Sequence, residues 1–141
     1  MIRAARSSDT AALAAIATHA AVQAYPELVP DREKITRIVQ GAISSASSYV
    51  LISENSDGIQ GCLVATGSEG AWFQRQQINL ALLKTTIPGD GSAMLRQFME
   101  WYRKRRAVKV LIVGFCVSER LGKLFNRVGI PRHGNTYMAL R

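Results

Sequence analysis

The stretch from residue 72 to residue 113 constrains the possible folds of the chain most strongly, because a glycine-containing turn lies there between a predicted strand and a predicted helix. The strand predicted over 72–86 alternates apolar with polar or small residues, in the order Gln77, Ile78, Asn79, Leu80, Ala81 and Leu82. Its apolar end, Leu80–Leu83, predicts burial on both faces. After the turn, helical spacing over 91–106 and a buried strand over 108–113 complete a β-α-β unit.

The rest of the chain predicts further helices and strands. The expected elements are a strand over 2–4, a helix capped by Ser7–Asp9, a helix from about Asp31, a hairpin of strands 49–53 and 59–66, a helix over 118–128 ended by Gly129, and a strand over 136–140. The second helix is expected to bury one face, which carries Ile35, Ile38, Val39 and Ala42. These elements predict a mixed α and β fold.

The length and composition predict one compact domain over residues 1–141, because 48% of the residues are hydrophobic and 20% are charged. No run of about 18 apolar residues predicts a membrane span, and the alanine-rich start lacks the flanks of an export signal. The cysteines, Cys62 and Cys116, lie in apolar stretches without CxxC spacing, which favours buried thiols. We expect a cytoplasmic protein without a metal site.

Positive charge is concentrated in the second half of the chain. Residues 1–74 hold five Lys/Arg and seven Asp/Glu, whereas residues 75–141 hold thirteen and three. This asymmetry predicts an anionic partner. The run Arg103–Lys109, with Trp101 and Tyr102 beside it, has the charge for nucleic acid, but cations also favour the last turn of a helix. We favour the interpretation that the basic run ends a helix, so nucleic acid is not the expected partner.

The turn PGDG offers a site for a phosphate. The N-terminus of a helix presents unpaired N–H groups and the positive end of the helix dipole. The glycines at 89 and 91 let a ligand approach the backbone. A tight turn with a helix cap explains the same residues, and the turn matches neither the Walker A nor the dinucleotide-binding pattern. Both explanations stay open on this evidence.

The order of elements resembles the GCN5-related N-acetyltransferase superfamily over nearly the whole chain. The segment LALLKTTIPGDGSAMLRQFMEWY is similar to the central motif of that family, YVLISENSDGIQGCLVA to its hairpin, and RLGKLFNRVGI to the helix before its closing strands. The family pattern [Q/R]xxGx[G/A] is present as PGDGSA, with Pro88 in place of Gln or Arg. The resemblance implies a mostly antiparallel central sheet flanked by helices, with acetyl-CoA as the cofactor.

The resemblance also implies which residues bind acetyl-CoA. The pyrophosphate is expected on backbone N–H groups of Gly89, Asp90, Gly91, Ser92, Ala93 and Met94. The Asp90 carboxylate should point away from the phosphates. The pantetheine amides are expected to pair where the fourth and fifth strands separate, along Ala81, Leu82 and Leu83. The ribose phosphate would meet one of the basic residues Arg96, Lys123, Arg127 or Arg132.

The usual proton-transfer groups of the family are replaced. Gln77 stands at the position of the glutamate base, and Phe125 at that of the tyrosine acid. Weak candidates for substitutes are Glu69, His19, Cys116 and Tyr137.

We therefore expect an N-acetyltransferase that acts on a primary amine of an unidentified small molecule or protein. The alternative is a catalytically weakened CoA-binding or protein-interaction module on the same fold, and a homodimer stays open.

Overall fold

The computed structural model describes residues 1–69, 76–115 and 117–134. Along the chain, strands and helices follow in the order β1 Ile2–Ala4, α1 Thr10–Ala24, α2 Arg32–Ser44, β2 Tyr49–Asn55, β3 Gly58–Glu69, β4 Gln76–Thr85, α3 Asp90–Lys104, β5 Val110–Val113 and α4 Glu119–Val128. A single 3-10 turn, Ser7–Asp9, precedes α1. The strand predicted over 136–140 and the start of the strand predicted over 72–86 lie outside the described residues.

The described strands form one sheet in the order β1-β2-β3-β4-β5. The pairs β1·β2, β2·β3 and β3·β4 are antiparallel, and β5 runs parallel to β4. A parallel neighbour requires a crossover, which α3 supplies. The predicted mixed, mostly antiparallel sheet with flanking helices is therefore confirmed.

Two cores lie on opposite faces of the sheet. The first core packs α3 and α4 against the strands through Met94, Leu95, Phe98, Met99 and Phe125. The second core packs α1 and α2 against the strands through Leu13, Val39 and Ala42. Phe98 is fully buried, so its truncation to alanine would remove about 3–5 kcal/mol of stability. The strand β4 contributes to both cores, through Leu80 in the first and Leu82 in the second.

Side-chain caps explain where two of the helices begin. The Oδ1 of Asp31 accepts the N–H of Lys34 at 2.9 Å, and the Oγ of Ser118 accepts the N–H of Leu121 at 3.2 Å. Gly129, with φ 94°, ends α4 as predicted.

Asp9 makes a different contact from the predicted cap of α1. It accepts from the N–H of Arg6 and from the guanidinium of Arg3, which also bonds Glu54. These bonds hold the pKa of both carboxyls below their ordinary values. Asp9 thus ties β1 and the 3-10 turn to the end of β2.

Two burial predictions are wrong. Ile38 is 51% exposed, because the inward face of α2 is centred on Val39 and Ala42. The strand predicted over 108–113 is shorter, and Val110 and Ile112 are 39% and 45% exposed. β5 is the last strand of the described sheet, and its alternate residues face away from the first core. Among the described helices, none is both long and apolar enough to span a membrane.

Candidate functional site

The candidate site lies where β4 and β5 separate. The two strands pair over Gln77–Leu80 and Val110–Val113. One further bond runs from the N–H of Gly114 to the carbonyl of Leu80, at 2.9 Å. β4 then continues to Thr85, and in the described part of the chain it pairs there with β3 alone. The second half of β4 therefore has backbone groups without a strand partner on its β5 side.

A β-bulge in β4 accounts for the separation. Val64 of β3 faces Leu82, whereas the next β3 residue, Ala65, faces Leu80. Ala81 is thus an extra residue in β4. A bulge bends its strand and increases the twist, which turns the second half of β4 away from the line of β5.

The bulge also changes which face each side chain occupies. Leu80 and Leu83 pack with the first core, and Leu82 packs with the second. The alternation predicted through Leu82 is therefore wrong beyond Leu80, because two leucines two residues apart lie on opposite faces. Leu82 and Leu83 do contact cores on both faces, but each stays partly exposed rather than buried.

The turn after β4 explains the proline in the PGDGSA motif. The N–H of Asp90 donates to the carbonyl of Ile87 at 3.3 Å, and Gly89 has φ 83° and ψ −23°. These angles are those of the third residue of a type II turn, which favours glycine there and proline one residue before. Pro88 and Gly89 therefore fix the path by which the chain enters α3.

The first turn of α3 presents free donors. The first regular helical bond joins the N–H of Ala93 to the carbonyl of Gly89, at 3.1 Å. The N–H groups of Gly91 and Ser92 precede it and have no hydrogen-bond partner among the described residues. A Cβ at residue 91 would meet only the Cγ2 of Thr85, at 3.6 Å. Free N–H groups and the helix dipole together favour an anion here.

Three side chains bind this turn to the sheet. The Oγ of Ser53 on β2 donates to the Oδ2 of Asp90 at 2.5 Å. The Oγ1 of Thr85 donates to the Oγ of Ser53 at 3.2 Å and accepts the N–H of Ile87 at 3.1 Å. The Asp90 carboxylate is thus directed to the sheet.

Arg96 is the cation next to the free donors. Its Nη2 donates to the Oγ of Ser92 at 3.0 Å and its Nε to the carbonyl of Ser92 at 3.3 Å. One helical turn further along, a groove of about 250 Å³ between α3 and α4 is lined by Arg96, Met99, Glu100, Arg103, Arg127 and Val128. Three arginines against one glutamate give this groove a positive charge.

The two positions that the resemblance links to proton transfer are Gln77, on the part of β4 that pairs with β5, and Phe125, on α4. Gln77 is partly buried and lies between Ser68 of β3 and Val110 of β5. Phe125 is 4% exposed, and its ring centre lies 6.2 Å from that of Phe115. An amide and a phenyl ring exchange no proton near neutral pH. Neither position therefore supplies a base or an acid.

Asn79, two residues after Gln77, carries a polar atom in an unusual environment within the part of β4 that pairs with β5. Its Oδ1 is buried and has no hydrogen-bond partner among the described residues. A Cβ on Gly114 would lie 2.5 Å from this oxygen. Glycine at 114 therefore makes room for the Asn79 amide beside the point where the strands separate. Buried polar atoms are nearly always paired in native proteins.

Among the weak catalytic candidates, the structure describes the side chain of His19 alone. His19 is on an exposed face of α1. Glu69 ends β3 opposite Gln76, and its side chain lies outside what the structure describes. Cys116 and Tyr137 also lie outside the described residues. Cys62 is fully buried, and burial raises the pKa of its thiol to about 12, so it is an inert packing group.

Part of the basic run is used within the fold. Arg103 donates to the carbonyl of Val128 at 3.0 Å, at the end of α4. Arg105 donates to the carbonyl of Ala46 at 2.6 Å and lies 4.3 Å from the ring centre of Trp101. Trp101 in turn stacks on Tyr49, with 4.9 Å between ring centres. These contacts support the helix-end interpretation of the run.

Sequence reasoning missed Ser53, Thr85 and Asn79. All three lie in predicted strands, where a polar residue is normally assigned to the solvent face. Their roles depend on the bulge at Ala81 and on contacts between elements far apart in sequence. Neither the bulge nor these distant contacts can be derived from a single sequence. The serine within the apolar run of β2 was the one available hint.

Comparisons with known proteins give a structural match only. No family model matches the chain, and no curated protein matches it. A predicted acetyltransferase from Clostridium acetobutylicum, solved with acetyl-CoA, matches with a TM-score of 0.77 at 15% identity and covers 100% of this chain and 95% of its own. A possible acetyltransferase from Clostridium difficile 630 has a TM-score of 0.72 at 11% identity, with 100% and 96% covered.

An aminoglycoside acetyltransferase from an uncultured soil metagenomic sample, solved in complex with sisomicin, also matches. Its TM-score is 0.61 at 16% identity, and 100% of this chain and 96% of that chain are covered. Identities this low carry the fold and not the substrate. The three structural matches, together with the separated strands and the glycine turn, show that the chain has the fold of the GCN5-related N-acetyltransferase superfamily.

Proposed function

We propose that the chain is an N-acetyltransferase that moves an acetyl group from acetyl-CoA to a primary amine. The observation that carries the proposal is the separation of β4 and β5 after Leu80, directly before a turn that leaves the N–H groups of Gly91 and Ser92 free. A pantetheine chain presents amides that can pair with the free edge of a strand. A pyrophosphate presents the charge that a helix N-terminus favours.

In this proposal the cofactor lies along the unpaired end of β4 and the turn that follows it. Pantetheine pairs with the backbone of Ala81, Leu82 and Leu83 beside the gap. The pyrophosphate lies on the turn from Gly89 to Met94, chiefly on the N–H groups of Gly91 and Ser92. Arg96 and the arginine-lined groove offer charge to the remaining phosphate, which would use part of the basic excess of the second half of the chain.

In such a reaction the chain's own residues act mainly by positioning. The amine nitrogen attacks the thioester carbonyl carbon, the carbon–sulfur bond breaks, and the amine proton leaves to solvent or to the departing thiolate. Gln77 and Phe125 supply no proton acceptor or donor, so rate enhancement rests on proximity and on backbone N–H groups that polarise the carbonyl. The acceptor side is formed by the α1–α2 connection, where Leu28 and Val29 are 51% and 95% exposed.

The test is calorimetric titration with acetyl-CoA of the wild-type protein, Gly91→Glu and Gly91→Ala. A glutamate places charge and bulk on the free donors, and we expect affinity to fall by about tenfold or more, or about 1.4 kcal/mol. Gly91→Ala is the matched control, because its Cβ makes only an ordinary contact with Thr85 at 3.6 Å. A carboxylate in the first turn favours the helix, so Gly91→Glu should fold. Unchanged affinity in the folded glutamate variant would refute the site.

A CoA-binding or protein-interaction module on the same fold is the second candidate. The amide at Gln77 and the ring at Phe125 favour it, because both usual proton-transfer groups are replaced. Acetyl-CoA binding alone does not separate the two functions. Thiol release from acetyl-CoA in the presence of amines does, because only the enzyme accelerates it.

A further inference from the structure

The bonds between Ser53, Thr85 and Asp90 run in one direction and end on a carboxylate. The N–H of Ile87 donates to Thr85, the Thr85 hydroxyl donates to Ser53, and the Ser53 hydroxyl donates to Asp90. Ser53 is fully buried and is, with Asp9, one of the two buried polar residues among those described. A buried hydroxyl is costly unless it is bonded, and here both its donor and its acceptor functions are used.

The position of Asp90 creates a conflict of charge. It is the first residue of α3, next to the free N–H groups of Gly91 and Ser92. A carboxylate turned toward those donors would occupy the positive end of the helix and repel an anionic ligand. Asp9, by contrast, is neutralised by Arg3 at 2.8 Å, whereas the Asp90 carboxylate accepts a hydrogen bond from the uncharged hydroxyl of Ser53.

We propose that Ser53 is a positioning residue for acetyl-CoA, which holds the Asp90 carboxylate against the sheet so that the first turn of α3 stays open to the pyrophosphate. This inference rests on the proposed cofactor site. Ser53, a buried residue of β2 that is far from the turn in sequence, then controls the charge that the ligand meets. Thr85 supports Ser53 by donating to it and fixes the turn by accepting from Ile87.

The experiment is a double-mutant cycle on acetyl-CoA affinity, measured by calorimetry. Ser53→Ala frees the carboxylate to turn outward, and we expect the Kd to rise about tenfold. Asp90→Asn removes the charge but keeps an oxygen for the Ser53 hydroxyl, and its Kd is the reference for the double variant. In the Asp90→Asn background no charge can turn outward, so Ser53→Ala should change the Kd by less than about threefold.

Salt provides a second readout that a purely structural role would not change. Repulsion between the freed carboxylate and the phosphates is screened as the Debye length falls from about 10 Å at 0.1 M salt to about 3 Å at 1 M. The affinity ratio between wild type and Ser53→Ala should therefore shrink at high salt, while that between wild type and Gly91→Ala should not change. Thermal unfolding checks each variant, and Ser53→Cys, which keeps a weak donor, replaces Ser53→Ala if the alanine variant does not fold.

The outcomes separate this inference from the proposed function. A wild-type protein that does not bind acetyl-CoA overturns both. Wild-type binding, with a folded Ser53→Ala that binds equally well, overturns the role of Ser53 alone. Binding that Ser53→Ala weakens equally in the Asp90→Asn background shows that Ser53 acts through packing and not through the carboxylate, which also overturns the inference.

Discussion

The two halves of β4 differ in what holds them and in what they offer a ligand. The first half, Gln77–Leu80, is paired on both sides, and its properties depend on side chains. The second half, from Ala81 to Thr85, is paired with β3 alone among the described strands and offers backbone groups. Backbone groups remain when a side chain is replaced, whereas a side-chain base or acid is lost. The proposed cofactor site therefore depends on backbone geometry, whereas the amide of Gln77 offers no base in the paired half.

The largest effect expected from this difference is on the pH dependence of the reaction. Without a protein base, only the neutral fraction of the amine attacks, and that fraction rises about tenfold per pH unit below the amine's pKa. For an amine of high pKa, thiol release should therefore rise about 10³-fold from about pH 6 to about pH 9. The measurement is thiol release from acetyl-CoA with a panel of lysine peptides, polyamines and an aminoglycoside.

Gln77→Glu is the control for that pH profile. A carboxylate at this position of the paired half should act as a base above its own pKa, and the profile should then become flatter between pH 6 and 9. A flat profile already in the wild-type protein would mean that another group accepts the proton. Acetyl-CoA binding without any thiol release above the protein-free rate would favour the binding module over the enzyme.

The same comparison shows how far sequence alone predicts the fold. Periodicity, turn residues and caps predicted the described elements, because each depends on neighbours within about ten residues. The hairpin, the β-α-β unit and the end of α4 at Gly129 are all confirmed. The class of sheet followed from the order of these elements and from the family resemblance.

The site was predictable only in part, for physical reasons. The glycine turn is local, so its motif identified it. The extra residue at Ala81 is visible only when β3 and β4 are paired, and it moves Leu82 to the other face. The contact of Ser53 with Asp90 spans 37 residues, and no local rule links the two. The exposure of Ile112 likewise depends on which strands flank β5.

Phe125→Tyr tests the position at which the family resemblance implies a tyrosine acid. Phe125→Tyr places a hydroxyl on a ring that is 4% exposed and packed beside Phe115. If protonation of the departing thiolate limits the rate, turnover should rise about 10²-fold, the lower end of the range for general acid catalysis. Phe115→Tyr is the matched control and should give no gain. Equal turnover in a folded Phe125→Tyr protein would show that solvent already supplies the proton.

The smallest effect is expected in the paired half, where side chains fit closely. A Cβ on Gly114 would lie 2.5 Å from the Oδ1 of Asn79, so Gly114→Ala should force the amide to move and cost about 1–3 kcal/mol of unfolding free energy. In an Asn79→Ala background the obstacle is gone. There the same change should be neutral, or stabilise by about 0.4–1 kcal/mol, because alanine restricts the unfolded chain more than glycine does. Urea unfolding of the four proteins gives the coupling between the two residues. Additive effects would mean that the backbone, and not the Asn79 side chain, requires glycine at residue 114. The claim that the paired half of β4 depends on side-chain fit would then fail for these two residues.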